Sequence, residues 1–333
     1  MALIFLGRFL CKNGWSKWVF SKIMNEFELI ARLTRSLPTN DSVVVGAGDD
    51  CAVLECGDPQ RQLLFKTDAV VEGIHFTSDT PPEQIGHKAL ARCLSDIAAM
   101  AGTPSAALVT IALPKSFSVS FVEQIYAGMN TLAKKHGVAI VGGETTTNPE
   151  RVLISISLTG FVPRGKAVMR SGAKVGDAVF VSGELGGSLA GRHLDFDPRL
   201  AEARWLTENF SVHAMMDVSD GLAGDLPHIL RASGVGAELL KTAVPISRAA
   251  KEISKRGDAA KPAFVAALTD GEDFELLFTV AGKSAVPVLD AWKKKFPAVK
   301  LSCIGKIIAG EGIRLRDKTG VRPFTAHGYV HFS

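Results

Sequence analysis

The sequence predicts two α/β domains of similar size, each a mixed sheet with helices packed on it in the α+β manner. Three observations carry this. Short runs rich in β-branched and aliphatic residues recur between amphipathic helical runs. Strand signals near the start come in pairs before the first long helix, not in strict strand–helix alternation. A basic, glycine-containing, weakly periodic stretch at residues 162–177 falls near the middle of the 333-residue chain. Two domains are the natural prior for that length.

Taken in order, residues 1–23 carry Arg8, Lys12, Lys17 and Lys22 and no acid. They account for the whole net charge of +4, and the rest of the chain is balanced, 34 basic residues against 34 acidic. That leaves no overall basic footprint for nucleic acid. Recurring basic residues break up the apolar core a signal peptide needs. A basic amphipathic membrane helix is one reading. The reading adopted is an N-terminal extension, disordered or not translated, with the first domain starting at Met24. There "NEFELIARLTRSL" has acids in its first turn and an apolar face of Phe27, Ile30, Ala31 and Leu33, which predicts a helix. No apolar run reaches the roughly 18 residues of a membrane span, so no membrane partner is expected. Cysteines at 11, 51, 56, 93 and 303 form no CxxC pair. An odd count without spacing predicts free thiols in a reducing compartment, hence the cytoplasm.

"SVVVG", "LLFKTDAVV" and "SAALVTIAL" read as strands. "PEQIGHKALARCLSDIAAMAG" reads as a helix, with Leu90, Leu94, Ile97 and Ala101 on one face and Lys88, Arg92 and Asp96 on another. "SFVEQIYAGMNTLAKKHG" is a second helix, ending in basic residues and Gly137. "VAIVGGETTT" reads as strand into loop, and "RVLISISLTGFV" as a strand. Beyond the boundary, "AVFVSGELGGSLAG" reads as strand, glycine loop and helix. "HAMMDVSDGLAGDLPHILRASG" reads as strand, acidic loop, helix and glycine cap. "PAFVAALTDGEDFELLFTV" is two apolar stretches around an acidic turn, "VPVLDAWKKKFP" a helix, and "KLSCIGKII" a strand.

Acids recur in one context. Asp49 and Asp50 are adjacent in "VGAGDDCAVL", and like charges so placed call for a cation. Asp68, Glu144, Asp217 and Asp220, then Asp270, Glu272 and Asp273, also stand where an apolar strand runs out, beside Gly, Ser or Thr. Asp96, within a helix, is the exception. Loops at strand ends are where α/β proteins place binding groups, and small neighbours let a bulky anion reach the backbone. Oxygen donors with almost no His or Cys nearby suit a hard cation, magnesium first. Six acidic segments exceed what one such ion needs. They suit several ions around a polyphosphate, as in phosphoryl transfer.

Absent motifs narrow the class. No GxxxxGK[ST] occurs, because Leu277 stands where the first glycine before "GKS" should be. "GAGDD" is not a dinucleotide fingerprint, and no HRD and DFG pair is present. His327 and His331 lack the glutamate of HExxH.

In this order, "GDDCAVL", "TDAVVEGIHF", "LSDIAAMAGTP", "GGETT", "RSGAKVGD", "DVSDGLAGDL", "GEDFELLF" and the tail "GYVHF" resemble the thiamine-monophosphate kinase family, of the aminoimidazole-ribonucleotide synthetase superfamily. The resemblance runs from about Asn25 to Phe332. It implies a two-domain fold like that of the synthetase. Residues 24–163 would form an ATP- and metal-binding domain that makes a homodimer, and residues 164–333 a C-terminal α/β domain. The implied substrates are thiamine monophosphate and ATP, with several Mg2+ ions. Carried over, the metal shell is Asp49, Asp50, Thr67, Asp68, Asp96, Glu144, Asp217 and Asp220. ATP would be touched by Gly143, Glu144, Arg170 and Ser219, and thiamine monophosphate by His75, Glu272 and Tyr329, the last stacking on the cationic thiazolium.

Three departures bear on the site. Lys66 stands where the family has serine, and an ammonium cannot ligate magnesium; it either replaces part of an ion's charge or points away. Glu144 replaces the usual aspartate. Asp270 replaces a common glycine. The segment 192–216 is also shorter than usual, although Arg192, His193, Pro198 and Arg199 remain. The expected chemistry is direct transfer to a phosphate already largely dianionic at neutral pH, whose second pKa is near 6. The alternatives are another ATP-using member of the superfamily with a different acceptor, or a nucleotide-binding regulator without turnover.

Overall fold

The structure, a computed structural model, describes residues 26–257 and 260–324. The expected extension at 1–23, the Met24 start and Tyr329 lie outside the described residues. The chain divides into two compact units. One comprises residues 1–37 and 330–333; its described part, residues 26–37, holds helix α1, Glu26–Thr34, with Glu26 and Glu28 in the first turn. The other runs from Pro38 to Tyr329 and holds everything that follows.

Its first half forms a six-stranded sheet. The strands are β1 (Val43–Val45), β2 (Ala52–Glu55), β3 (Arg61–Val71), β4 (Thr103–Leu113), β5 (Ala139–Thr147) and β6 (Leu153–Pro163), in the order β1-β2-β3-β6-β4-β5. Only β4 and β5 pair in parallel, as the intervening helix α3 (Val119–His136) requires. Helix α2 (Pro82–Ala99) packs on β3, β6 and β4, and α3 packs against α2. The two helices meet through glycines: a Cβ on Gly86 would come within 1.8 Å of the Ile125 carbonyl, and one on Gly128 within 1.9 Å of the Glu83 carbonyl. In β3, alternation sends Gln62, Leu64, Lys66, Asp68 and Val70 to the helix face, and Phe65 and Thr67 to the other.

The second half forms a seven-stranded sheet. Its strands are β7 (Asp177–Ser182), β8 (Val212–Val218), β9 (Gly236–Leu240), β10 (Glu275–Ala281), β11 (Leu301–Ile308), β12 (Ile313–Asp317) and β13 (Gly320–Phe324), in the order β13-β12-β9-β11-β7-β10-β8. Strand β7 is buried throughout, because a core lies on each face. Ala178 and Phe180 face the core shared with the six-stranded sheet, while Val179 and Val181 face a second core. Helices α4 (Leu200–Asn209) and α8 (Ala285–Lys295) supply Leu206, Val288 and Trp292 to the first core. Helices α5 (Leu222–Ser233) and α7 (Ala263–Thr269) supply Leu226, Ile229 and Ala267 to the second. A short α6 (Arg248–Ile253) completes the half.

The helix expected after the glycine loop near residue 186 is two short 3-10 turns, Ser188–Ala190 and Arg192–Leu194. Gly186, Gly187 and Gly191 have φ of 81°, 70° and 137°, outside the helical range. The strand at 139 continues to Thr147 rather than giving way to a loop.

Candidate active site

Helix α2 crosses between the sheets, touching β3 and β6 on one side and β8 and α4 on the other. Its charged face thereby meets acids from both halves. Asp50 arrives on the chain entering β2, Asp217 at the end of β8, and Asp96 from α2 itself. Ligand oxygens of these three buried carboxylates all lie within 4.8 Å of one another.

Each carboxylate has one partner that fixes it. Arg170 Nη2 donates to Asp50 Oδ1 at 2.7 Å. Ser95 Oγ donates to Asp217 Oδ2 at 2.6 Å. Lys66 Nζ donates to Asp96 Oδ1 at 2.9 Å. Asp49 stands behind them, accepting the Arg170 backbone N–H at 3.1 Å. The first positive charge the Asp49–Asp50 pair meets is therefore Arg170. Four carboxylates face two fixed cations, and the imbalance shows in their protonation. Burial, with Asp50 beside it, pushes Asp49 up to about 6. Burial and Asp50 likewise push Asp217 up to about 6. Asp50 Oδ2 is buried and has no hydrogen-bond partner. A buried, partnerless carboxylate oxygen is costly unless something positive meets it. Oxygen-only donors at this spacing fit a hard divalent cation, so the residues present suit Mg2+.

A second charged network lies along the same helix. Arg92 holds Asp68 with two bonds, Nε to Oδ2 at 2.9 Å and Nη2 to Oδ1 at 3.2 Å. Burial works to raise Asp68, but Arg92 and Lys66 outweigh it and hold it below the usual carboxylate range. Arg92 Nη1 also reaches Glu272 at 3.3 Å. Lys88, fully buried, donates to Glu272 Oε2 and to the His75 carbonyl, and lies 2.7 Å from His193 Nδ1. Burial drags Lys88 down to about 8 in spite of Glu272. Glu272, also bound by His193 and Arg92, is held down at about 2 against its burial. Both values move down, yet with opposite effect: burial makes the lysine harder to charge, whereas His193, Lys88 and Arg92 together make the glutamate easier to charge; at neutral pH both groups are charged. Burial lowers the His75 imidazole to about 4, so it is neutral, and its Nδ1 accepts the Val71 N–H at 3.1 Å.

The loop bearing Glu272 is strained: Glu272 and Phe274 have φ of 63° and 50°, uncommon for residues with side chains. Several contacts hold it so. Glu272 N–H donates to the Ser219 carbonyl at 2.6 Å. Phe274 stacks on Phe196 with ring centroids 4.2 Å apart. Arg192 bonds Asp273 at 2.7 Å and Glu275 at 2.8 Å, and Arg199 bonds Glu275 at 2.7 Å. The Arg192, His193 and Arg199 retained in the shortened segment thus clamp the 272–275 acids. Asp270 turns elsewhere, accepting the Gly187 N–H at 3.0 Å and Lys261 Nζ at 2.6 Å.

The pairing of Glu272 has a consequence for acid stability. Its folded value near 2 lies below the ordinary 4.5, so its contribution is complete above 4.5 and is lost as pH falls toward 2. A shift of that size corresponds to about 3 kcal/mol. Urea unfolding followed from pH 5 to pH 2.5 is expected to show a shallower stability loss in Glu272→Gln than in wild type. Parallel curves would remove Glu272 from the acid transition.

Of the residues singled out from sequence, Asp49, Asp50, Asp96, Asp217 and Arg170 come together. Asp68, His75 and Glu272 lie along the adjoining network, and Ser219 joins it through its carbonyl. Asp220 N–H donates to Asp225 Oδ2 at 3.0 Å as α5 begins. Thr67 presents its hydroxyl to the opposite sheet face, 3.3 Å from Ser157 Oγ. Gly143 and Glu144 lie on the exposed edge strand β5. Glu144 is opposite Thr110 and outside the buried carboxylate group. Gly143 is required there, since a Cβ would come within 1.7 Å of the Val109 carbonyl. Sequence reasoning did not single out Lys88, Ser95 or His193 as site residues, nor Arg92. Spacing of Lys88, Arg92 and Asp96 at successive fourth positions was the available signal.

Two family descriptions match the chain: AIR synthase related protein, N-terminal domain, over residues 48–162, and its C-terminal domain over residues 174–318. A thiamine-monophosphate kinase from Rhodopirellula baltica is 40% identical over 307 residues, 90% of this chain and 93% of that relative. A thiamine-monophosphate kinase from Bacillus subtilis is 34% identical over 333 residues, 93% of this chain and all (100%) of that one. The solved structure "AaThiL complexed with AMPPCP and TMP" superposes with a TM-score of 0.79 at 31% identity, covering 94% of this chain and 100% of that one.

Proposed function

Since the chain belongs to the thiamine-monophosphate kinase family of AIR synthase related proteins, we propose that it transfers the γ-phosphoryl group of ATP directly to thiamine monophosphate, giving thiamine diphosphate and ADP. The carrying observation is the convergence of Asp50, Asp96 and Asp217 from both halves of the fold, with Arg170 beside them. The relative solved with AMPPCP and TMP supports the choice of substrates.

Asp50, Asp96 and Asp217, with Asp49 behind, would hold Mg2+, which when bound supplies charge neutralisation between the donor and acceptor phosphates. Arg170 offers a planar fork of donors, of which Nη2 is engaged by Asp50 and Nε has no partner. That fork suits a phosphate oxygen. The acceptor monoester is already largely dianionic at neutral pH, so no strong general base is needed. The chain's task is to hold two anions close and in line. Cys51 and Cys93 are buried, with thiols pushed well up by burial, and so are poor nucleophiles for a phosphoryl relay. Direct transfer predicts inversion at a chiral γ-phosphate, whereas retention would require a phosphoenzyme.

His75, Glu272 and the adjoining Lys88 network supply the thiamine end. The division at residues 163 and 164 would separate an ATP-binding and dimerising domain from its C-terminal partner. The sheet face opposite α2 and α3 supports a homodimer, since Phe65 is 45% and Leu108 49% exposed there. A cytoplasmic setting rests on the free thiols of Cys51, Cys56, Cys93 and Cys303. Among the described residues, no helix is long and apolar enough to cross a membrane.

The test is chromatography of products after incubating purified protein with MgATP, with and without thiamine monophosphate. Thiamine diphosphate and ADP in equal amounts, only with both substrates, are expected. ADP-free mixtures under conditions where ATP binds would favour a binding-only role.

A further inference from the structure

The geometry points to Lys66 as a built-in cation of the carboxylate cluster, standing where a cluster lacking it would take one more divalent ion. This rests on the reading above that the cluster holds divalent cations. Lys66 projects from β3 on the face turned to α2, between Leu64 and Asp68. Its Nζ lies 2.9 Å from Asp96 Oδ1, and the side chains are 24% and 10% exposed.

Each of the three clustered carboxylates has a different first partner: a guanidinium for Asp50, a hydroxyl for Asp217, an ammonium for Asp96. Only Asp50 and Asp96 are therefore neutralised from within. Asp50 keeps a second, partnerless oxygen; Asp96 Oδ1 is committed to the lysine. The other ionisable groups facing the lysine are Asp68, held by Arg92, Asp217, held by Ser95, and the buried thiols of Cys51 and Cys93. Asp68 and Asp217 are engaged by those partners, and the ammonium makes its hydrogen bond to Asp96. A divalent ion at Asp96 Oδ1 would need contact at about 2.0–2.1 Å and would meet that ammonium at close range, like charge against like. A cation can instead approach through Asp50 Oδ2 and Asp217. Lys66 thus fixes where a metal binds and lowers how many bind.

The experiment counts bound Mn2+ per chain by electron paramagnetic resonance, with AMPPCP present, in wild type, Lys66→Ser and Lys66→Arg. Lys66→Ser is expected to bind one Mn2+ more than wild type, and Mg2+ is expected to raise its melting temperature more. Lys66→Arg keeps the fixed positive charge and is expected to keep the wild-type count. Equal counts in wild type and Lys66→Ser, or an extra ion in Lys66→Arg, overturn the proposal. A Lys66→Ser chain that stays unfolded in saturating Mn2+ also overturns it, since a divalent ion then cannot stand in for the ammonium. Wild type that binds no Mn2+ at all defeats the underlying metal reading instead.

Discussion

Asp217→Asn is expected to slow thiamine diphosphate formation by on the order of 10³-fold while making the metal-free chain more stable. The rate loss follows from removing one of three carboxylates that would hold the cation neutralising the phosphates. The gain in stability follows from the cost of that same charge. Burial and Asp50 raise Asp217 to about 6 from 3.8, so above about pH 6 the folded state bears a penalty of up to about 3 kcal/mol. The Ser95 hydroxyl, 2.6 Å away, can bond an amide as well as a carboxylate, so the geometry survives the change. Single-turnover rates and thermal melting at pH 7.5 without divalent metal would measure both effects. A variant with near wild-type rate would take Asp217 out of the machinery. One that is slow and less stable would mean the residue serves the fold.

Lys88→Met is expected to destabilise the chain by about 3–5 kcal/mol, the usual cost of breaking a buried ion pair from one side. Glu272→Gln should cost a similar amount, because it strands a fully buried ammonium with only the His75 carbonyl and His193 as partners. The double variant should be much closer to wild type than the two losses added together, since it leaves neither charge unpaired. Urea unfolding of all four chains measures the coupling. Additive losses would mean that the two residues stabilise the fold separately.

Strands β1, β3, β4, β5, β6, β7, β8 and β11, the helices α2, α3, α5 and α8 and the strand-end acids were legible because each is a local pattern. Asp50, Asp217 and their glycine and serine neighbours carry their meaning within a few residues. Lys88, Ser95 and Arg92 were not legible as site residues, because a charged helix face ordinarily faces water. Only the burial of α2 between two sheets turns that face into part of the site. The missing helix at 188–194 has a local cause that could have been weighed more heavily, the three glycines at 186, 187 and 191. Strands β12 and β13 were not singled out: "IRLRD" alternates as a half-buried strand does, but it is five residues long and stands out only once its parallel neighbour β9 is known. For Thr67 and Glu144, alternation along the strand decides which face the side chain takes, and motif matching does not track it.

The most direct measurement is the initial rate of thiamine diphosphate formation by wild-type protein as Mg2+ is varied at fixed, saturating ATP and thiamine monophosphate. The account predicts no product in EDTA and a rate that keeps rising after Mg2+ exceeds ATP, because the Asp50–Asp96–Asp217 cluster takes metal beyond the ion that accompanies the nucleotide. A rate that saturates at one Mg2+ per ATP, or product formed in EDTA, would contradict it.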